Sequence, residues 1–444
     1  MVHEQDPETV PSALIKMVWS HRALERAWHV IEENARTSKS DEVRMEVATF
    51  KEDASKKIRS LSGKLSSGSF RFLPAKGIAL PKPDKNGKVS RDRFRPIVLA
   101  QVESRIVQRS ILDVLLEVPS LKPYIQTPYS FGGIRKKSEG DLAAVPAAIK
   151  AVLDCIGSGA NFAICADISK FFTRIPKSAV TPIVAQAVRD EDFMKLFERA
   201  ITVELSNLAE LRERAEAFPI HDIGVAQGSS LSPLLGNILL HDFDREMNQG
   251  DCNCIRYIDD VIILAPNSKA AKVRLQRAEE FLEKYGMTFG VEKSRRQPVS
   301  VESSIEFLGI EMINGFIRPT SKAQDRLLAS LQTTFGQSKK SFLARRIGQA
   351  VKKEDSLIAT LRRVDGIVQG WGKHYRFCND SAVLKYLDTR ISDMIRAYLG
   401  LYADVARNLD GTPRRQMLGM EFLAEIERNP LEWPKRSNVK ILAA

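Results

Sequence analysis

The sequence predicts an α+β chain, and three observations carry the prediction. Apolar residues recur at helical spacing through the first 70 positions. Short apolar runs bounded by acids or turn residues replace them between Phe70 and Thr320. The last 124 residues return to a helical pattern and carry 22 basic against 13 acidic side chains.

Residues 1–70 read as a helical extension, with Leu14, Met17 and Val18 on one face and a second amphipathic run from Ala23 to Glu33. In 71–160 the runs FRFLP, GIALP and FRPIVLA flank PKPDKNGK. Its Asn86-Gly87 pair signals a tight turn, so a β-hairpin with a basic tip is expected. Residues 161–320 read as strand, helix, helix, strand-turn-strand, helix, strand, with NFAICAD, CIRYI and VIILA as the apolar strands. Residues 321–444 read as helices broken at Gly348, near Gly366, across Gly370-Trp371-Gly372 and at Gly411-Thr412-Pro413. No internal repeat or low-complexity linker separates these stretches.

At 444 residues the chain exceeds what one core usually supports, so two or three subdomains sharing interfaces are expected. Hydrophobic residues at 43% and charged residues at 27% describe an ordinary globular protein, neither fibrous nor disordered. The opening MVHEQDPETV lacks the basic and apolar regions of a secretory signal, and no stretch reaches membrane-spanning length, so the expected location is cytoplasmic with no membrane partner. Cys155, Cys165, Cys252, Cys254 and Cys378 form an odd set without a CxxC pair, which argues against a disulfide framework or a zinc site. A net charge of +12, with nine of the excess positive charges after Thr320, points to a polyanionic partner held there.

Tyr257-Ile258-Asp259-Asp260 falls between two apolar strands, which sets its acids in a hairpin turn. Asp pairs are common in turns for local reasons. Asp167 changes the weight of this pair, because it closes the strand NFAICA and aims a second carboxylate at the same cleft; helix capping is its alternative role. Two adjacent strands ending in Asp167 and Asp259 would supply the oxygen ligands that a pair of Mg²⁺ ions about 3.5–4 Å apart needs for nucleotidyl transfer.

These residues resemble the bacterial reverse transcriptases of the group II intron, retron and defence-associated kinds. Tyr257-Ile258-Asp259-Asp260 matches the YxDD box and Asp167-Ile168-Ser169-Lys170-Phe171-Phe172 the first palm motif. Gln227-Gly228-Ser229-Ser230-Leu231-Ser232-Pro233 matches the QGxxxSP box between them. Arg95-Pro96-Ile97 with Ser104-Arg105-Ile106-Val107-Gln108 matches the finger motif, Ser130-Phe131-Gly132 the next, and Phe307-Leu308-Gly309 the primer grip. The resemblance implies a right-hand polymerase, with fingers in 71–160, palm in 161–320 and a basic helical thumb and tail in 321–444. It implies an RNA template, a DNA or RNA primer, dNTPs, and two Mg²⁺ ions, with Mn²⁺ as a substitute.

It also implies roles for single residues. Asp167 and Asp259 would hold both metals with the Ile168 carbonyl, and Asp260 would support their geometry and charge. Phe172 would stand beneath the sugar as a steric gate, or else be a core aromatic. Gln227 and Gly228 would let backbone approach the incoming base and template. Lys82 and Arg95 would neutralise the triphosphate, with Lys85 or Lys88 as substitutes for Lys82. Lys293 resembles the family's candidate general acid for pyrophosphate, with a solvated surface lysine as the alternative. Gly370-Trp371-Gly372-Lys373-His374-Tyr375 resembles the intron-type thumb, and its His374 reads as packing among aromatics. Helices carrying Lys352, Lys353, Arg362 and Arg363 would follow duplex phosphates. Two departures stand out: no HNH-like nuclease cluster is present, so autonomous retrohoming is not expected, and ENARTSKSDEVRM lacks the family's glycine-rich segment. Three roles remain open: a polymerase with a dedicated noncoding RNA in a retron-like or antiphage setting, an untemplated or protein-primed polymerase in phage defence, or a maturase-like RNA-binding protein.

Overall fold

The computed structural model describes residues 13–38, 40–83, 89–133, 143–290, 296–409 and 411–431. The chain divides into two compact units, Met1–Leu308 and Gly309–Ala444. Among the described residues no helix is long and apolar enough to cross a membrane, and none of the five cysteines is joined in a disulfide.

The first unit begins with helices Ala13–Trp19, His21–Arg36, Asp41–Glu52 and Ala54–Ser66. Ser20 and Ser40 cap the second and third through side-chain oxygens that accept from Ala23 and Val43 N–H. The buried face of the first helix is Ile15 and Val18; Met17, expected there, is 45% exposed. In a helix of seven residues the periodicity is too short to fix the face, and packing on the helices His21–Arg36, Ala54–Ser66 and Val102–Leu115 decides it.

Strands β1 (Lys76–Pro83) and β2 (Val89–Leu99) pair antiparallel as the expected hairpin, and its Asn86-Gly87 tip lies outside the described residues. The run Phe70–Pro74 precedes the hairpin without entering it. The base of β1 is braced by a segment that sequence reading did not single out. Ala75 N–H donates to the Glu204 carbonyl at 2.8 Å and Ser206 N–H to the Ala75 carbonyl at 2.9 Å. The Asn207 amide then brackets Gly77, accepting from its N–H at 2.8 Å and donating to its carbonyl at 3.0 Å. Leu205, Leu211 and Phe218 pack with Val98 beneath this brace.

Next come β3 (Phe162–Asp167), β4 (Asn253–Tyr257), β5 (Asp260–Ala265) and β6 (Val299–Ser300), which form one sheet in the order β4-β5-β3-β6 with antiparallel neighbours. Val261 to Ala265 are fully buried, which a central strand covered on both faces requires. Six α-helices, instead of the expected two, lie between β3 and β4, from Phe171–Arg174 to His241–Met247. β7 (Ile305–Phe307) closes the unit.

In the second unit β8 (Ile310–Ile313) and β9 (Phe316–Pro319) form a hairpin. Its bonds explain why the division falls before 320: Ile317 exchanges hydrogen bonds with Asn379, and Arg318 pairs with Glu311 and Asp380. Helices Ser321–Arg345, Leu357–Tyr375, Ser381–Ala406 and Thr412–Leu418 follow. The helix Leu357–Tyr375 runs unbroken through Gly366, Gly370 and Gly372, contrary to the expected breaks. Val364, Ile367, Val368 and Trp371 bury one face of it in the second core, and that packing outweighs glycine's weak helix propensity. The break at Gly348 (φ 86°) does occur.

Candidate active site

The register sets Asp167, the last residue of β3, opposite Asp260, the first of β5. Directly opposed residues of antiparallel strands hold their Cβ atoms about 4.5–5.5 Å apart on one face. Asp259 was expected to end the strand beside β3. That strand begins one residue later, and Asp259 is instead the second residue of the two-residue turn joining β4 to β5, where Tyr257 pairs with Asp260. All three aspartates are half-buried. Burial, with the Asp260 carboxylate adding to it, pushes the Tyr257 hydroxyl pKa upward.

The turn is strained and held. Ile258 has φ 60°, the value that glycine ordinarily supplies at the first position of a type II′ turn, and a non-glycine residue there costs about 1–3 kcal/mol. Ile168 N–H donates to the Asp259 carbonyl at 2.8 Å, and Gly290 N–H to the Asp167 carbonyl at 2.7 Å. From the other side, Arg256 N–H donates to the Tyr129 carbonyl at 2.8 Å and Phe131 N–H to the Arg256 carbonyl at 3.0 Å. Gly132 sits so close that a Cβ there would lie 2.6 Å from the Ile258 side chain.

The QG box packs on β2: Val98 N–H donates to the Gln227 carbonyl at 3.0 Å. Gly228 has φ 127°, and a Cβ would meet the Val98 carbonyl at 2.8 Å, so the requirement for glycine already arises within the protein. Phe171 is buried beneath Gly236, whereas Phe172 is only half-buried, its ring 5.3 Å from that of Phe171. Arg95 is exposed on β2 opposite Leu80, and Lys82 is half-buried at the register shift between Pro81 and Pro83.

A family profile described as "Reverse transcriptase (RNA-dependent DNA polymerase)" matches residues 80–312, more than half of the chain. The chain belongs to the reverse transcriptase family. Among curated relatives, Protein YkfC of Escherichia coli K12 is 26% identical over 193 residues, 43% of this chain and 45% of that protein. An uncharacterized 91 kDa protein in the cob intron of Schizosaccharomyces pombe is 27% identical over 180 residues, 40% of this chain and 19% of that protein. The match thus spans less than half the length of either relative. Among solved structures, the telomerase of Candida albicans with a TWJ fragment of telomeric RNA aligns at 14% identity and a TM-score of 0.38, covering 78% of this chain and 63% of that one.

Reverse transcriptases use divalent metal ions. Mg²⁺ is commonly held by one or two carboxylates completed by substrate phosphates and water, and the facing Asp167 and Asp260 with Asp259 beside them fit that donor set. Among the described residues no three His, Cys, Asp or Glu side chains form a ready cage for an ion.

The remaining sequence candidates are dispersed. Lys293, Lys85 and Lys88 lie outside the described residues. Lys352 was expected on a helix but lies in the connector before Leu357, where it precedes a single 3-10 turn, Lys353–Asp355, whose Lys353 pairs with Glu421. Arg363 donates to the Glu354 carbonyl at 2.8 Å, while Lys352 and Arg362 are the two of the four whose side chains make no such bond among the described residues. His374, expected to pack among aromatics, is exposed, and its ring meets that of the adjacent Tyr375 edge-on at 4.6 Å. Sequence reading missed Arg256, the largest fully buried side chain among the described residues, paired to Asp244. A signal was present, since an arginine inside the apolar strand CIRYI demands a buried partner.

Proposed function

We propose that this chain is an RNA-directed DNA polymerase that joins nucleotides at the acidic end of its sheet. One observation carries the reading: the register brings Asp167 and Asp260 face to face with Asp259 in the adjoining turn, in a chain of the reverse transcriptase family. Asp167, Asp259 and the Ile168 carbonyl would hold two Mg²⁺ ions, and Asp260 would shape the local charge. Bound there, such a pair activates the attacking hydroxyl and neutralises charge on the transferring phosphoryl group.

Residues 71–160 act as fingers, 161–320 as palm and 321–444 as thumb. Arg95, with its forked guanidinium, and Lys82 serve the triphosphate, Lys293 the departing pyrophosphate. Phe172 excludes a 2′-hydroxyl, and Gln227-Gly228 supports the template base. The template is a dedicated RNA, in a retron-like or antiphage role. A maturase-like RNA-binding role is the second reading, supported by the relative encoded in the cob intron.

Primer extension on defined RNA templates tests the chemistry. Sequencing copurified nucleic acid tests the role: one defined noncoding RNA supports the first reading, intron RNA the second, and DNA covalently attached to the protein would replace both with protein-primed synthesis.

A further inference from the structure

Arg256 is fully buried on β4, two residues before the acidic turn reaches Ile258. Its Nε and Nη2 donate to the two oxygens of the equally buried Asp244 at 2.8 and 2.6 Å. Its third donor, Nη1, reaches the Ile258 carbonyl at 3.1 Å. A buried ion pair is a poor route to stability, because desolvation offsets most of the attraction and an apolar pair of equal volume usually does as well. What an apolar pair lacks is the third hydrogen bond. The Ile258 carbonyl belongs to the peptide unit before Asp259, and the Asp259 carbonyl, in the unit after it, accepts from Ile168 N–H. Both peptide units flanking the Asp259 Cα are therefore fixed, one by Arg256 and one by β3, although Ile258 holds a φ of 60° that favours relaxation of the turn.

We propose that the Arg256–Asp244 pair is a positioning device that locks the strained turn so that Asp259 is preset for metal before substrate arrives. The inference rests on the metal-binding role proposed for Asp259. Asp244 acts through Arg256, orienting its fork so that Nη1 points at the turn, as outer-sphere partners do in metal sites.

The test is Mn²⁺ binding by the full chain, followed by EPR of the free ion, with thermal unfolding in parallel. The site is defined as the Mn²⁺ binding that Asp259→Ala removes. Asp244→Leu/Arg256→Met should keep a near-wild-type Tm while weakening that site about 10- to 100-fold. Arg256→Lys, which keeps the charge but has no planar fork to serve both partners, should fold and lose at least about tenfold. Either variant, folded and binding Mn²⁺ with wild-type affinity, overturns the inference. Should the double variant not fold, the lysine variant decides. If Asp259→Ala removes no Mn²⁺ site, the functional reading fails first and takes the inference with it; if it removes one and the variants leave it unchanged, the positioning role alone is wrong.

Discussion

Around Asp167, Asp259 and Asp260 the main chain is bonded to β3, to the segment 129–131 and to Gly290, so each carboxylate departs from a fixed point. In the unit Gly309–Ala444 the charges are arranged differently. Lys352 and Arg362 stand in solvent, and ion pairs such as Arg346–Asp404 and Lys353–Glu421 are at least half-exposed at both partners. Such pairs contribute about 0–1 kcal/mol each. The contrast follows from the chemistry proposed for each. Metal geometry tolerates only small errors in ligand position, whereas phosphate tracking needs charge density on long, adaptable side chains. One region should therefore respond to single atoms and the other only to summed charge.

The largest expected effect is on the sheet. Asp167→Ala or Asp259→Ala should lower primer extension by roughly 10³-fold or more, since metal ligation supplies several kcal/mol of transition-state stabilisation. The fold should survive, because removing one of three clustered carboxylates relieves repulsion when metal is absent. Circular dichroism and single-turnover extension check this, and a folded Asp259→Ala protein with retained extension would refute the site.

Glycines sharpen the same comparison. Gly228→Ala places a Cβ 2.8 Å from the Val98 carbonyl at a φ of 127°, and should destabilise by about 1–3 kcal/mol while displacing Gln227. Gly366 lies in an exposed helical turn, where an added methyl would meet nothing within 4 Å among the described residues outside its own helix backbone. Gly366→Ala should therefore stabilise by about 0.5–1 kcal/mol. Urea unfolding of both variants gives the two signs.

Phe172→Ala comes next. Its half-buried ring rests against the core without belonging to it fully, so the packing loss should be modest. The ratio of kcat/KM for dNTP over rNTP should fall at least about tenfold, the scale of discrimination by pocket shape. An unchanged ratio would make Phe172 a core aromatic.

The acidic triad was legible because a carboxylate at a strand end and a pair in a turn survive as local patterns. Register was not legible: whether Asp259 or Asp260 faces Asp167 depends on where β5 begins, and a one-residue slip reverses every side chain. Gly366 and Gly370-Trp371-Gly372 misled because glycine disfavours helix only weakly, while Val364, Ile367 and Trp371 bury a continuous face. The segment around Asn207 was invisible, since its role depends on an amide meeting Gly77 across 130 residues of chain. Arg256 could have been noticed as a charge within an apolar strand, but its partner Asp244 sits among acids and bases on HDFDREM that look like an ordinary solvated helix.

The smallest effect concerns the basic unit, and the structure divides the four cations into two pairs. Lys353 and Arg363 already bond within the protein, to Glu421 and to the Glu354 carbonyl, whereas Lys352 and Arg362 are exposed. Neutralising Lys352 and Arg362 together should lower the slope of log K against log salt by up to about 0.9 for each duplex phosphate that the protein then leaves unneutralised, with little change in Tm. Neutralising Lys353 and Arg363 should leave the slope closer to wild type, because each charge is partly committed to a protein partner. Affinity should vary little with duplex sequence in either case, since phosphate contacts position without reading bases. Fluorescence anisotropy with a template-primer duplex across a salt series measures all three proteins. Equal slopes for the wild type and the Lys352/Arg362 variant would mean that this surface does not hold duplex, and the thumb assignment of 321–444 would be withdrawn.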